Sequence, residues 1–202
     1  MFPTELFDAV IDQASDDTAS LHHLSLACHG FLPRARYHLF RTVVLGNTQR
    51  VEDYAEFIDS HPWVGPLVRK LVHSSFVPIS ESDPIARTLD IVPLHLLCRL
   101  PYLHTWEIGM AGIECRSTEV GAVISCRQDR IALSSYGSFS HNVRNLELAR
   151  VSFEDISDFI ELVSTFTGVQ RLVCSYISIK SSLESRDSRV RSTQMKNLQV
   201  SI

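Results

Sequence analysis

The segments VRNLELARVSF (143–153) and VQRLVCSYISI (169–179) follow one pattern, and MKNLQVSI (195–202) follows them after the same interval along the chain. In each segment a leucine at the fourth position is followed two residues later by a second apolar residue. Such alternation with a period of two is typical of a strand with one buried face. The spacing therefore predicts three equivalent strands, with Leu146, Leu172 and Leu198 in register.

Two earlier segments fit the same template at longer intervals. They are VRKLVHSSF (68–76) and LHTWEIGMAGI (103–113), which precede the segment at 143. RIALSS (130–135) is either a further strand or the approach to the next one. Helical patterns separate the strands, because apolar residues recur there on one face of a helix. These residues are Val51, Tyr54, Ala55 and Ile58, and Ile156, Phe159, Ile160 and Val163.

A strand-helix unit of this length cannot bury its apolar face alone, so successive units must stack on one another. The recurring unit resembles the leucine-rich repeat, although the asparagine or cysteine that follows the strand in that family is not evident. For residues 65–202 the resemblance implies an irregular leucine-rich-repeat-like solenoid with parallel strands, within an α/β fold class. An ordinary α/β domain that alternates strands and helices is the alternative.

The C-terminal part of the chain departs from this pattern. KSSLESRDSRVRSTQ (180–194) lacks helical periodicity and is predicted to be a mobile loop. The last segment stops inside a strand pattern, with neither a helix nor a polar cap after it. We therefore expect either a solenoid truncated at its C-terminus or a final strand that is paired on one side only.

The sequence over 1–41 predicts three short helices. Thr4 is predicted to cap the first helix, and Asp16, Asp17 and Thr18 are predicted to supply capping oxygens for the second. Both helices carry a one-sided apolar stripe. The stripes consist of Leu6, Phe7, Val10 and Ile11, and of Leu21, Leu24, Cys28 and Phe31.

The next residues predict a third helix and the connection to the repeats. Pro33 suits the first turn of a helix over PRARYHLF (33–40), and TVVL (42–45) has the β-branched residues of a strand. Residues 42–64 are thus predicted to contain a strand and a helix that lead to the repeats. A unit as small as residues 1–41 is only marginally stable, so it should lean on a neighbouring domain or a partner.

The order of these N-terminal residues resembles the F-box motif. FPTEL (2–6) is similar to the opening Leu-Pro-x-Glu-Leu of that family, and Val10-Ile11 is similar to two apolar positions of its first helix. LHHLSLACHGF (21–31) is similar to its leucine- and cysteine-containing stretch, and LFR (39–41) to its closing leucine, aromatic and arginine. Phenylalanine stands at position 2 where the family usually has leucine, and again near the position of a common tryptophan, at 31.

The resemblance implies a surface for a Skp-type adaptor and, through it, for a cullin. An adaptor groove would also explain why apolar residues stand at an end of the chain, where most chains fray. The residues expected to contact the adaptor, or to support those contacts directly, are Phe2, Pro3, Leu6, Val10, Ile11, Leu24 and Cys28.

Composition and charge argue against several further classes of function and location. The chain has 202 residues, of which 45% are hydrophobic, and a formal net charge of −4, so we do not expect nucleic acid to be its principal partner. Its five cysteines form no CxxC pair, which favours a reducing compartment, the cytoplasm or the nucleus. No apolar run is long enough to cross a bilayer, so we expect no membrane insertion.

No residue pattern predicts catalysis. GxSxG, GxxxxGK[ST], GxGxxG and HExxH are all missing from the sequence. His22-His23 with Cys28-His29 lacks a fixed metal-ligand spacing, and Asp16-Asp17 is explained by helix capping. We therefore expect no enzyme activity, no metal and no cofactor.

The sequence as a whole predicts a non-enzymatic substrate-recognition subunit of an SCF-type ubiquitin ligase. The F-box-like helices would bind the adaptor, and the repeats would bind a protein target whose identity the sequence does not indicate. The alternative is a non-catalytic repeat scaffold for protein–protein interaction, in which the N-terminal helices serve only as a cap.

Overall fold

The computed structural model describes residues 3–46, 48–74, 92, 95–109, 122–124, 140–153, 155–180 and 192–201. Within these ranges the chain is a mixed α/β protein with five α-helices and one eight-stranded sheet that consists mainly of parallel strands. It divides into two compact units, Met1–Val43 and Val44–Ile202. The finer division at 42–64 and 65–202 stays a prediction.

The helices and strands are numbered in chain order over the described residues. The helices are α1 Thr4–Gln13, α2 Thr18–Ala27, α3 Leu32–Arg41, α4 Thr48–Ser60 and α5 Ile156–Thr165. The strands are β1 Thr42–Leu45, β2 Lys70–Ser74, β3 Thr105–Gly109, β4 Ala122–Ile124, β5 Asn145–Ala149, β6 Val151–Phe153, β7 Arg171–Lys180 and β8 Ser192–Ser201.

The first unit contains the three predicted helices, with one correction at its start. Pro3, not Thr4, occupies the N-cap position of α1, and it makes no side-chain capping bond. Its ring fixes φ at a value suited to this position, and its carbonyl accepts a bond from the Leu6 amide. The α2 cap is as predicted for Asp17, whose carboxylate accepts bonds from the Ala19 and Ser20 amides.

The four strands β2, β3, β5 and β7 are neighbours in chain order, and each pair is parallel. Their register confirms the alignment predicted from the spacing of the first four segments. Two rows of paired residues, almost all of them fully buried, form one face of the sheet. The rows are Leu71, Trp106, Leu146 and Leu172, and His73, Ile108, Leu148 and Cys174.

The entries to these strands repeat one hydrogen-bond arrangement. The Arg69 carbonyl accepts bonds from two successive amides at the start of β3, and both donor–acceptor distances are 3.1 Å. The His104 carbonyl does the same for the start of β5, at 2.9 Å for each bond. The Arg144 carbonyl accepts from the two amides at the start of β7, at 2.8 and 3.0 Å. Each strand entry is therefore stacked on the previous one through its backbone.

The last strand corrects the sequence prediction. β8 pairs with β7 in the antiparallel direction, so Leu198 lies opposite Cys174 instead of continuing the row of Leu172. The connection between the two strands, 181–191, is shorter than the dozen or more residues that a parallel crossover needs, usually with a helix. The predicted loop at 180–194 is wrong at both ends, because Lys180 is the last residue of β7 and residues 192–194 are the beginning of β8. Residues 130–135 and 181–191 lie outside the described residues.

The predicted helix before Gly168 is confirmed as α5, but its inward face differs from the predicted stripe. Asp158 and Leu162 are its buried residues, whereas Ile156 and Ile160 are exposed. The predicted helix at 51–58 is confirmed in α4, where Val51, Ala55 and Ile58 are buried as the pattern requires.

Two residues with a positive φ lie at one level of the sheet. Arg150, between β5 and β6, and Tyr176, within β7, have φ values of 56° and 57°. The Arg150 amide donates to the Ser175 carbonyl at 2.8 Å, which joins the two strands at this level. On the next strand Gly109 has a φ of 147°, and a β-carbon there would lie 1.8 Å from the Ala149 carbonyl oxygen.

Gly109→Ala is expected to destabilise the second unit by about 2–4 kcal/mol, because the added methyl group would meet backbone in a conformation that only glycine adopts readily. Equilibrium urea unfolding would measure this loss. The matched control is Gly30→Ala, whose β-carbon would meet the movable Phe7 ring at 3.3 Å and should cost far less. Equal losses for the two variants would contradict the role assigned to Gly109.

His73 makes the stability of the fold sensitive to acid. It is 1% exposed in β2, and its Nε2 has no hydrogen-bond partner among the described residues. Burial lowers the pKa of His73 from 6.5 to about 4. Between these two pH values the unfolded chain binds a proton that the folded chain does not, so the free energy of unfolding falls as pH falls.

The expected contribution of His73 is a loss of about 3 kcal/mol between pH 6.5 and pH 4. His73→Leu removes the titrating group, so its unfolding free energy should fall less steeply over this range than that of the unmodified chain. Chemical unfolding at several pH values would show the difference. His141→Leu, at an exposed position, is the control; parallel pH profiles for the unmodified chain and His73→Leu would refute the assignment.

Candidate functional site

The first unit is organised around a small apolar core. Ile11 of α1, Leu21 of α2 and Ala35 of α3 are buried there, one from each helix. Half-buried apolar residues surround them, namely Ala14, Leu24, Phe31 and Leu39. Phe7 meets Phe31 edge to face, with ring centroids 5.1 Å apart.

On the outer side of α1 three apolar residues are exposed, and we call them the α1 ridge. Pro3, Leu6 and Val10 follow one another at steps of three and four residues, so they lie on one face of the helix. Leu6 is 53% exposed and Val10 is 51% exposed. An exposed apolar ridge on a short amphipathic helix is a common form of protein-binding surface.

The predicted adaptor-binding residues therefore fall into different environments. Pro3, Leu6 and Val10 form the ridge, whereas Ile11 is fully buried and can only support it, and Leu24 is partly buried against the core. Cys28 is an exposed free thiol at the C-terminal end of α2. Phe2 lies outside the described residues.

Leu26 is 84% exposed on α2 and is absent from the set of site residues that the sequence predicts. Sequence patterns favour residues that share a stripe, and Leu26 falls outside the stripe formed by Leu21, Leu24 and Cys28. A leucine outside the apolar stripe of its own helix is the signal that could have identified it.

Polar side chains join α1 to α3 in an arrangement that we call the Asp12 clamp. Arg34 donates from Nε to Asp12 Oδ1 at 2.7 Å and from Nη2 to Oδ2 at 2.8 Å. His38 donates from Nε2 to Oδ1 at 2.7 Å. These bonds, first from Arg34 and then from His38, lower the pKa of Asp12 to about 2. The carboxylate is therefore charged at any ordinary pH.

No local sequence pattern predicts this clamp, because Arg34 and His38 are distant from Asp12 along the chain. Arg34 and His38 are one turn apart on α3 and can reach the same carboxylate. Tyr37 lies beneath the Arg34 guanidinium, whose central carbon is 5.1 Å from the ring centroid.

In the second unit the face of the sheet opposite the buried rows carries a group of polar side chains beside the buried Val72. Lys70 Nζ lies 2.7 Å from Glu107 Oε2 and 3.9 Å from Glu147 Oε2, and all three side chains are partly exposed. Asn145 donates from its side-chain amide to the Thr105 hydroxyl at 3.1 Å. Parallel sheets are usually covered on both faces, so a polar and partly exposed face is a second candidate binding surface.

The remaining candidate residues do not form a site in the part of the chain that the structure describes. No three His, Cys, Asp or Glu side chains converge there as metal ligands. Trp106 is buried against Phe166, with centroids 5.6 Å apart, whereas Trp63 is 40% exposed. None of the described helices has the length and hydropathy to span a bilayer. Cys115 and Cys126 lie outside the described residues.

Comparison of the chain with protein-family models, with curated proteins and with solved structures found no match in any of the three.

A comparison of Ile11→Ala with Val10→Ala tests which of the two residues belongs to the core of the first unit and which to its surface. Ile11→Ala removes a fully buried side chain and should cost about 3 kcal/mol, whereas Val10→Ala at a half-exposed position should cost well under about 1 kcal/mol. Hydrogen exchange of α1–α3 amides would measure both effects. A larger loss for Val10→Ala would mean that the ridge is part of the core.

Proposed function

We propose that this chain is a substrate-recognition subunit of an SCF-type ubiquitin ligase, with no catalytic activity of its own. The three N-terminal helices form an F-box-like unit that binds a Skp-type adaptor and, through it, a cullin. The remaining chain binds a protein target and holds it near the conjugating enzyme, so the chain contributes proximity and orientation. The proposed location is the cytoplasm, the nucleus or both.

The observation that carries the adaptor proposal is the α1 ridge. About half of the surface of Leu6 and of Val10 is exposed. Both residues belong to α1, in which Ile11, the residue after Val10, is fully buried. The exposed parts of these two side chains leave apolar surface in contact with water. Covering that surface with a partner is favourable by about 25 cal/mol for each Å² buried. Burial of this ridge in an adaptor groove recovers that free energy.

The second part of the proposal concerns the repeats. We propose that the strand-helix units form an irregular leucine-rich-repeat-like solenoid. Support comes from β2, β3, β5 and β7, which are parallel neighbours in chain order, and from the identical stacking of their entries at Arg69, His104 and Arg144. The polar face around Glu107 and Glu147 is the proposed target-binding surface, since its side chains remain partly exposed.

The adaptor proposal is tested by titrating the full chain against a purified Skp-type adaptor. We expect a Kd of about 1 μM or tighter. Leu6→Asp combined with Val10→Asp should weaken binding by about 100-fold or more, because it places two charges in an apolar interface. Both positions are exposed, so the variant should keep its fold, which circular dichroism would verify.

The matched control is Ile156→Asp combined with Ile160→Asp, which adds the same two charges at exposed isoleucines of α5. It should bind the adaptor with unchanged affinity. If the folded, unmodified chain does not bind the adaptor, the proposal is wrong and the capped repeat scaffold becomes the better account. Equal binding by the ridge variant would show that the adaptor uses another surface.

A further inference from the structure

α1 has few apolar attachments to the rest of the first unit. Its only fully buried side chain is Ile11, and Phe7 adds a half-buried edge contact with Phe31. A helix with one fully buried side chain and one edge contact between rings can still change its tilt. The angle at which α1 presents its ridge therefore needs a second, directional attachment.

The Asp12 clamp has the geometry of such an attachment. Both oxygens of Asp12 accept bonds, two from Arg34 in the bidentate arrangement and one from His38. A bidentate pair fixes the plane of both groups as well as their distance. Tyr37 supports the guanidinium from below, and the His38 side chain is only 9% exposed, so two donors of the clamp are themselves held in place.

The clamp and the ridge occupy different sides of α1. At about 100° per residue, Asp12 is about 200° around the helix from Val10 and about 240° from Leu6. The clamp residues therefore do not share the face of the ridge and need not touch a partner that covers it. Any effect of the clamp on binding must act through the position of α1.

We propose that Asp12, Arg34 and His38 are positioning residues that set the orientation of the α1 ridge for adaptor binding. This inference rests on the proposed adaptor function. The side chains of Asp12 and Arg34 are 41% and 36% exposed, so dissolved salt weakens their attraction. Because of the clamp, the affinity of the apolar α1 ridge for the adaptor should depend on ionic strength.

The test compares the full chain with Asp12→Asn and, as a matched control, Asp16→Asn. Both variants lose one carboxylate in the same unit, but Asp16 lies between α1 and α2, outside the clamp. At low salt, Asp12→Asn should weaken adaptor binding by about 10-fold, and Asp16→Asn should leave it unchanged. Because salt already weakens the clamp, the difference between Asp12→Asn and the unmodified chain should shrink at about 1 M salt.

Two further measurements separate positioning from loss of the fold. Hydrogen exchange should be faster in α1 of Asp12→Asn, with α2 and α3 still protected. In a double-mutant cycle, Asp12→Asn combined with Arg34→Gln should cost no more binding than Asp12→Asn alone, because the two groups act as one unit. Arg34→Lys keeps the charge without the bidentate geometry and should also weaken binding.

The outcomes distinguish the two proposals. If the unmodified chain does not bind the adaptor, the proposed function fails, and this inference fails with it. If the chain binds and Asp12→Asn binds as tightly as Asp16→Asn, the clamp has no positioning role, but the adaptor proposal stands. Unchanged α1 exchange in Asp12→Asn, or additive losses in the double-mutant cycle, would likewise overturn the positioning role.

Discussion

Parallel pairing of four strands in a single register is the constraint on which the second unit depends. Trp106 lies between Leu71 and Leu146 in the paired row, and all three are fully buried. A shift of one residue in any strand would move its buried side chains to the polar face, so the core allows only this register. Trp106 also meets Phe166 edge to face, which ties the end of α5 to the same row.

The first unit depends less on buried apolar side chains and more on polar contacts between its helices. Among its described residues the core cluster has three fully buried side chains, one from each helix, and such a small core gives little stability. Directional polar contacts therefore matter more there than in the sheet. The Asp12 clamp illustrates this, since it joins the first and third helices through three charge-assisted bonds.

Much of the architecture was predictable from local pattern. The spacing of the segments at 68, 103, 143 and 169 predicts the strand register, because buried leucines must align across neighbouring parallel strands. The alternation of apolar residues does not depend on strand direction, and for that reason the predicted orientation of β8 is wrong. The exposed ridge at Leu6 and Val10 was predictable as apolar, but the burial of Ile11 beside it was not.

The features that local sequence pattern did not predict depend on contacts between residues that are distant in the chain. The Asp12 clamp joins the end of the first helix to Arg34 and His38 of the third, and neither a propensity nor a motif marks it. On α5 the buried side chains are Asp158 and Leu162, although Ile156 and Ile160 had the stronger apolar pattern. In both cases tertiary packing outweighed the periodicity of the sequence.

The positive φ at Arg150 and Tyr176 marks a boundary between two sets of neighbours in the sheet. Before it β5 has β3 as its neighbour, and after it β6 has β4, so two separate chain segments occupy one column of the sheet. β5 and β6 are separated by Arg150 alone, and β7 runs unbroken beside both. One almost continuous edge therefore holds together two segments, β3 and β4, that are distant from each other in the sequence.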